Sequence, residues 1–177
     1  PHSIEAELGV LSCIMLSPHD CMGQCQEKIL SPEFFYDLRH QVIWETLCEM
    51  SKANEGVDTI MLFQRLKDAG QLETVGGLDY IAPLPDKVAS ASNLSFYLNV
   101  VIEKYRKRLT IQTCTEIVGR LYEDGEAEAA DVVAESTREL NDLNSQLAGG
   151  TKKLTVKEAV HLAINEIEQR WLAVQEG

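Results

Sequence analysis

Three groups of residues have the types and spacing to do chemistry. His19, Cys21 and Cys25 come nearest to a metal cluster, and Cys21 and Cys25, four apart, share one face of a helix. A tetrahedral zinc needs at least three protein ligands. Cys13 lies beyond Pro18, so nothing nearby completes the shell, and we expect these cysteines to be buried free thiols. Gly149-Gly150-Thr151-Lys152 has the residue types of a phosphate cradle, but it lacks the P-loop spacing and has no strand before it. Lys104, Arg106, Lys107 and Arg108, interrupted by Tyr105, form the one local positive patch. Such a patch can touch nucleic acid or an acidic partner. It also matches the stretch Glu123–Asp142, which holds eight carboxylates against Arg138 alone. We expect the two segments to attract one another, within one hairpin or between two copies. Gly-x-Gly-x-x-Gly, Gly-x-Ser-x-Gly and His-Glu-x-x-His do not occur, so no catalytic residue, metal ligand or cofactor-binding residue is assigned.

Charge narrows the partners. The chain of 177 residues has a formal net charge of −12. Residues 1–150 carry 12 Lys+Arg against 24 Asp+Glu, whereas residues 151–177 balance at 4 against 4. Nucleic-acid affinity rests on cations that release counterions from phosphates. Little direct nucleic-acid binding is therefore expected, and a partner protein is the expected client. Cys13, Cys21, Cys25, Cys48 and Cys114 make an odd count without paired spacing, the pattern of reduced intracellular thiols. The apolar run Leu8–Leu16 is too short to cross a bilayer, and Glu5 and Glu7 precede it where a signal peptide needs positive charge. No membrane contact is expected, and a cytoplasmic protein is.

The elements that must position these residues all read as helices. Ile4, Leu8, Leu11 and Met15 space a first amphipathic helix capped by Ser3 and stopped at Ser17-Pro18. A short helix follows from about His19 to Ile29, and Ser31-Pro32-Glu33 has the serine-cap, proline-first form of a new start. Val42, Ile43, Trp44, Leu47 and Met50 belong to a longer helix ending near Asn54 and Gly56. Asp58 caps the next, which runs to Gly70; a strand over Val57–Phe63 is the lesser alternative, since the run does not alternate. Gly76-Gly77 marks a turn before a helix over Leu78–Leu84, where Pro83 predicts a kink, a 3₁₀ turn or an early end.

Ser90–Asn93 closes a globular head, residues 1–93. Leu94–Asp124 has no proline and a single glycine, enough for about 45 Å of helix at 1.5 Å per residue. Asp124-Gly125 breaks it, and a second helix runs from about Ala127 to Leu147, so residues 94–148 fold as an antiparallel hairpin. Leu140, Leu143 and Leu147 follow the three-then-four spacing of a coiled-coil seam. A two-helix hairpin has too little interior to hide every stripe, so self-association through this seam is expected. Residues 149–177 form a Gly149-Gly150 hinge and a last amphipathic helix, with Val156, Val160, Ile164, Ile167 and Trp171 on one face. That face wants a receptor, and the natural polypeptide is expected to continue past it. The fold class is all-α: head, hairpin and separate linker helix.

Several segments, taken in order, resemble the amino-terminal domain of bacterial or phage replicative DNA helicases of the DnaB family. They are Glu5-Ala6-Glu7 with Val10-Leu11 and Ile14; Phe34-Phe35-Tyr36 with His40 and Ile43; Val57-Asp58 with Leu62 and Leu66; and Gly70-x-Leu72 leading to Gly76-Gly77-x-x-Tyr80. Ser90-Ala91-x-Asn93 with Tyr97 and Val101, and Arg108-Leu109, complete the set. The chain departs from the family pattern at Leu8 (usually glutamine), Ser12 (usually glycine), Pro83 and Ala89 (usually proline). The resemblance implies that hairpins pair, that three such dimers form a collar on a hexameric ring, and that primase docks there. It further implies that the linker helix packs on the neighbouring subunit's ATPase domain, and that a helicase loader is a further partner. ATP and magnesium would belong to that ATPase domain and not to this span. A helicase-binding domain from the carboxyl end of primase, and an all-helical helicase loader or inhibitor, are the competing readings.

Overall fold

The computed structural model describes residues 1–122 and 128–147; the hinge and linker helix read from the sequence over 149–177 lie outside the described residues. Among the described residues there are seven α-helices and no strand: α1 (Ile4–Leu16), α2 (Pro18–Lys28), α3 (Leu38–Lys52), α4 (Thr59–Asp68), α5 (Gly77–Ile81), α6 (Leu94–Tyr122) and α7 (Ala129–Leu147). Single 3₁₀ turns occupy Pro32–Phe34, Pro85–Lys87 and Ala91–Asn93. The chain divides into two compact units, Pro1–Gln112 and Thr113–Gly177.

The first unit is built around α1. Ser3 caps it, its hydroxyl accepting from the Ala6 amide, and the helix stops at Ser17 before Pro18, as the spacing predicts. Its surroundings differ from expectation. Every residue from Ala6 to Met15 except Leu8 is buried, so α1 is the central rod of the head and not a one-faced amphipathic helix. A helix wrapped on all sides needs apolar or small residues all round, and Ala6, Gly9, Ser12 and Cys13 supply the small ones. Ser12 is fully buried, with its hydroxyl donating to the Leu8 carbonyl at 2.6 Å. α2, α3 and the turns at Pro85–Lys87 and Ala91–Asn93 pack on α1.

Local signals set most boundaries. Asp58 accepts from the amides of Ile60 and Met61 and starts α4, which settles the Val57–Phe63 stretch as helix. α5 ends at Ile81, the early end that Pro83 predicts. Ser31-Pro32-Glu33 starts only a 3₁₀ turn, and Ser31 makes no side-chain cap. The durable start is Asp37, which accepts from the Arg39 amide and pairs with the Arg39 guanidinium; that pairing holds the Asp37 carboxyl below its ordinary range. The first unit also takes in the beginning of α6: Leu94, Leu98 and Val101 are buried in the same core as α1. The compact unit therefore runs past Asn93, where turn chemistry alone ends the head.

One close approach depends on glycine. A Cβ built on Gly9 would lie 2.6 Å from Cγ of Tyr97, so the absent side chain is what lets the α6 ring lie against α1. Gly9→Ala forces ring or helix to shift and should cost about 1–3 kcal/mol. Gly23→Ala, inside α2 with nothing within 4 Å of the added carbon, should instead stabilise by about 0.5–1 kcal/mol. Urea unfolding of the two variants checks both signs; equal effects would refute the packing account.

Candidate assembly surface

The most constrained polar group in the head is Glu7, on α1 and nearly inaccessible to solvent. Its carboxylate accepts from the amides of Tyr36 at 2.9 Å and Asp37 at 3.2 Å, and meets Nδ1 of His40 at 2.7 Å. On the other side of the ring, Nε2 and the Tyr80 hydroxyl lie within hydrogen-bond distance at 2.7 Å. The Arg39 guanidinium lies 4.4 Å from the Tyr80 ring centroid, and burial pushes the Tyr80 phenol up. Gly76 and Gly77 take positive φ of 91° and 69°, which starts α5 so that Tyr80 reaches His40. Glu, His and Tyr in relay resemble acid–base machinery. His40 has no exposed surface, however, and the relay ties α1, α3 and α5 together.

A second knot uses Arg108. Its guanidinium donates to three backbone carbonyls, of Pro1, Glu33 and Phe34, each at 2.9 Å. The rings of Tyr36 and Tyr105 flank it at 5.7 Å; His2 stacks on Tyr36 and Phe34 on Tyr105. Partial burial among neutral acceptors lowers the Arg108 pKa from its ordinary value. The sequence placed Arg108 in an open basic patch, but the structure uses it to hold α6 to the chain's first residues. Lys107 pairs with Glu103 one turn earlier, at 3.5 Å. Lys104 and Arg106 make no ion pair among the described residues.

In the second unit, Arg120 of α6 donates to both carboxylate oxygens of Glu139 on α7 at 2.6 Å, with Glu135 at 3.9 Å. The guanidinium holds the Glu139 carboxyl below its ordinary range. Within the second unit the cation that α7's acids meet is therefore Arg120, late in α6, a residue that charge clustering in the sequence does not mark. The covered stripe of α7 is Val132, Ser136, Glu139 and Leu143, and that of α6 is Thr113, Ile117 and Arg120. The leucine stripe divides: Leu143 is 8 % exposed, whereas Leu140 is 40 % exposed and stands beside the seam. The helix reaches Leu147, but the side chain of Leu147 lies outside what the structure describes, as do Val156, Val160, Ile164, Ile167 and Trp171. Val118, Leu121, Tyr122 and Val133 are also left exposed.

Cys13, Cys21 and Cys25 are buried, and burial raises all three thiols, Cys13 to about 11 and Cys25 to about 12. This is the internal packing expected of them; Cys114 is exposed.

A first unit held by buried polar ties and a second unit of two helices with open apolar residues define an all-helical domain. The family model described as "DnaB-like helicase N terminal domain" matches residues 1–103. The chain is 33% identical to the replicative DNA helicase DnaB of Rhodothermus marinus, covering 90% of this chain and 17% of that protein. It is 32% identical to the Geobacillus stearothermophilus DnaB, covering 95% and 36%. The crystal structure of the N-terminal domain of DnaB helicase from Mycobacterium tuberculosis superposes with a TM-score of 0.72 at 29% identity, covering 80% of this chain and 98% of that one. A structure titled as a DnaB-like replicative helicase and its interactions with primase shares the fold, with a TM-score of 0.64 at 23% identity; 94% of this chain and 35% of that one are covered. The chain belongs to the DnaB-like helicase N-terminal domain family, and it spans well under half the length of the curated relatives it matches.

The Glu7 network generates a graded prediction. Tyr80→Phe leaves His40 Nε2 without a partner and should cost about 1–3 kcal/mol. Glu7→Ala removes the acceptor of two part-buried amides and of the buried imidazole together and should cost about 3–5 kcal/mol. Denaturant unfolding gives both values, and a smaller loss for Glu7→Ala than for Tyr80→Phe would refute the hierarchy.

Proposed function

We propose that this chain is the assembly module of a cytoplasmic, hexameric, ATP-dependent replicative DNA helicase. Hairpins pair two copies, three pairs form a collar, and primase and a helicase loader are clients of that collar. The observation that carries this reading is the second unit, where two helices cover one another along a narrow seam and leave Val118, Leu121, Tyr122, Val133 and Leu140 open. Two helices alone do not bury such a set; a further pair does. ATP and magnesium belong in this reading to an ATPase domain beyond this span, and the acidic balance leaves DNA contact to that domain. Val156, Val160, Ile164, Ile167 and Trp171 are the proposed docking face for a neighbouring subunit.

Light scattering of the chain over a hundredfold concentration range tests the pairing. The expected result is a mass that doubles with concentration, with Leu140→Asp displacing the curve to higher concentration at unchanged helicity. A strict monomer throughout would refute the reading. In the full-length helicase, Ile164→Asp with Ile167→Asp should abolish ring assembly while this chain stays folded. Unfolding of the chain itself would show that those residues belong to its own core.

A further inference from the structure

The buried thiols of the head are where α2 is fastened. α2 packs chiefly on α1, and the side chains it buries are Cys21, Met22 and Cys25, two thiols and a thioether. Among the described residues no ion pair joins α2 to another element. Its polar link to α3 is Gln26, which hydrogen-bonds the Cys48 thiol.

The helix has little stability of its own. It has 11 residues, and Ser17 before it makes no side-chain cap. Gly23 stands exposed in its interior with nothing within 4 Å of an added carbon, so space does not require the glycine. Its backbone freedom only weakens the helix. A helix this short is marginal in water without tertiary packing. The Glu7 and Arg108 ties, by contrast, involve no residue of α2. The rest of the head therefore keeps its fastening when α2 lets go, which is the condition for local opening ahead of global unfolding.

Docked and undocked thiols differ in chemistry. Cys21 is 2 % exposed and Cys25 is fully buried, and burial keeps both protonated, so neither meets nor attacks an electrophile. In solvent a thiol ionises near its ordinary value of about 8.5. Its thiolate then attacks one sulfur of a small disulfide. A new S–S bond joins the cysteine to the small molecule, the old S–S bond breaks, and the leaving thiolate takes a proton from water. The cysteine sulfur is oxidised, and the released thiol is the reduced product. A closely packed interior does not take the added group, so the adduct holds α2 open until excess thiol removes it.

We infer that α2 is a thiol latch: it undocks locally from α1, and a low-molecular-weight disulfide then traps it open as a mixed disulfide on Cys21 or Cys25. This is a site of covalent modification, independent of how copies of the chain pair.

The aromatic disulfide DTNB is the probe, added in excess to the intact 177-residue chain. Adducts at each cysteine are followed by peptide mass spectrometry. Exposed Cys114 should react first and serves as the reference. Cys21 and Cys25 should follow in native buffer. Amides of residues 18–28 in that adduct should exchange freely with solvent while those of α1 and α3 stay protected. Two variants separate local opening from global unfolding. Gly23→Ala should slow Cys21 and Cys25 about two- to fivefold with Cys114 unchanged. Tyr80→Phe weakens the head away from α2 and should leave both rates as they are. Reaction that quickens at least fivefold in Tyr80→Phe would show that the thiols open only when the whole head unfolds, and would overturn the latch. So would Cys21 and Cys25 that stay unmodified until urea unfolds the chain. An adduct whose 18–28 amides remain protected would rule out α2 as the element that moves.

Discussion

A carboxylate removed from water must find donors, and the head is arranged around the donors that Glu7 finds. Two are amides of the 36–37 segment and the third is His40, which in turn engages Tyr80. Leaving any one of these groups unmet inside the protein costs more than the bond contributes when made. The network therefore favours a unique arrangement over merely compact ones. The 36–37 segment must lie on α1, α3 must begin at Asp37, and α5 must begin at the Gly76-Gly77 turn. Phe35, fully buried beside His40 and Trp44, is carried into the core by the same constraint. Tyr36, fixed by its amide, is also one of the rings flanking Arg108, so the α6 clasp inherits its position from Glu7.

Much of the fold is legible because helix boundaries are local chemistry. Ser3, Asp58, the serine before Pro18 and the proline-free run after Leu94 each decide an end without reference to the rest of the chain. Two misreadings show where local chemistry stops. Ser31-Pro32-Glu33 has the right residues for a helix start, but the 36–37 amides are committed to Glu7, so the chain extends and begins again at Asp37. α1 was assigned one apolar face because the periodicity of Ile4, Leu8, Leu11 and Met15 is real. Burial on its other sides is a property of what surrounds it, and Gly9 and Ser12 signal that only as small residues in an apolar run.

The site residues were legible to a different degree. Glu7, His40, Tyr80 and Arg108 carry the family resemblance, yet no spacing in the sequence brings them together, since Glu7 and His40 are joined only by tertiary folding. The leucine spacing of α7 was visible, but periodicity cannot say which side of a stripe the neighbouring helix takes; the structure gives it Leu143 and leaves Leu140 beside it. The use of Arg108 is hidden in the sequence for a similar reason. Arg108 has the same charge as its neighbours, and only the three converging carbonyls distinguish a structural guanidinium from a surface one.

These observations separate two kinds of interior. In the head, Glu7 and His40 are buried and paired, which ties its elements to one geometry. In the second unit a single guanidinium, Arg120, clamps two helices whose apolar residues are only partly covered. Surface ion pairs contribute little to stability by themselves, and the seam beside this one includes a serine and a threonine where a self-sufficient hairpin would place larger apolar groups. A hairpin with so modest an interior gains by sharing its open residues with another helix pair. Exposed apolar stripes are normally selected against in a chain that remains alone. Here they sit on long regular helices, whose spacing is fixed by backbone hydrogen bonds and does not depend on the partner. The geometry offered to a second copy is thus set before it arrives, which lowers the ordering cost of association.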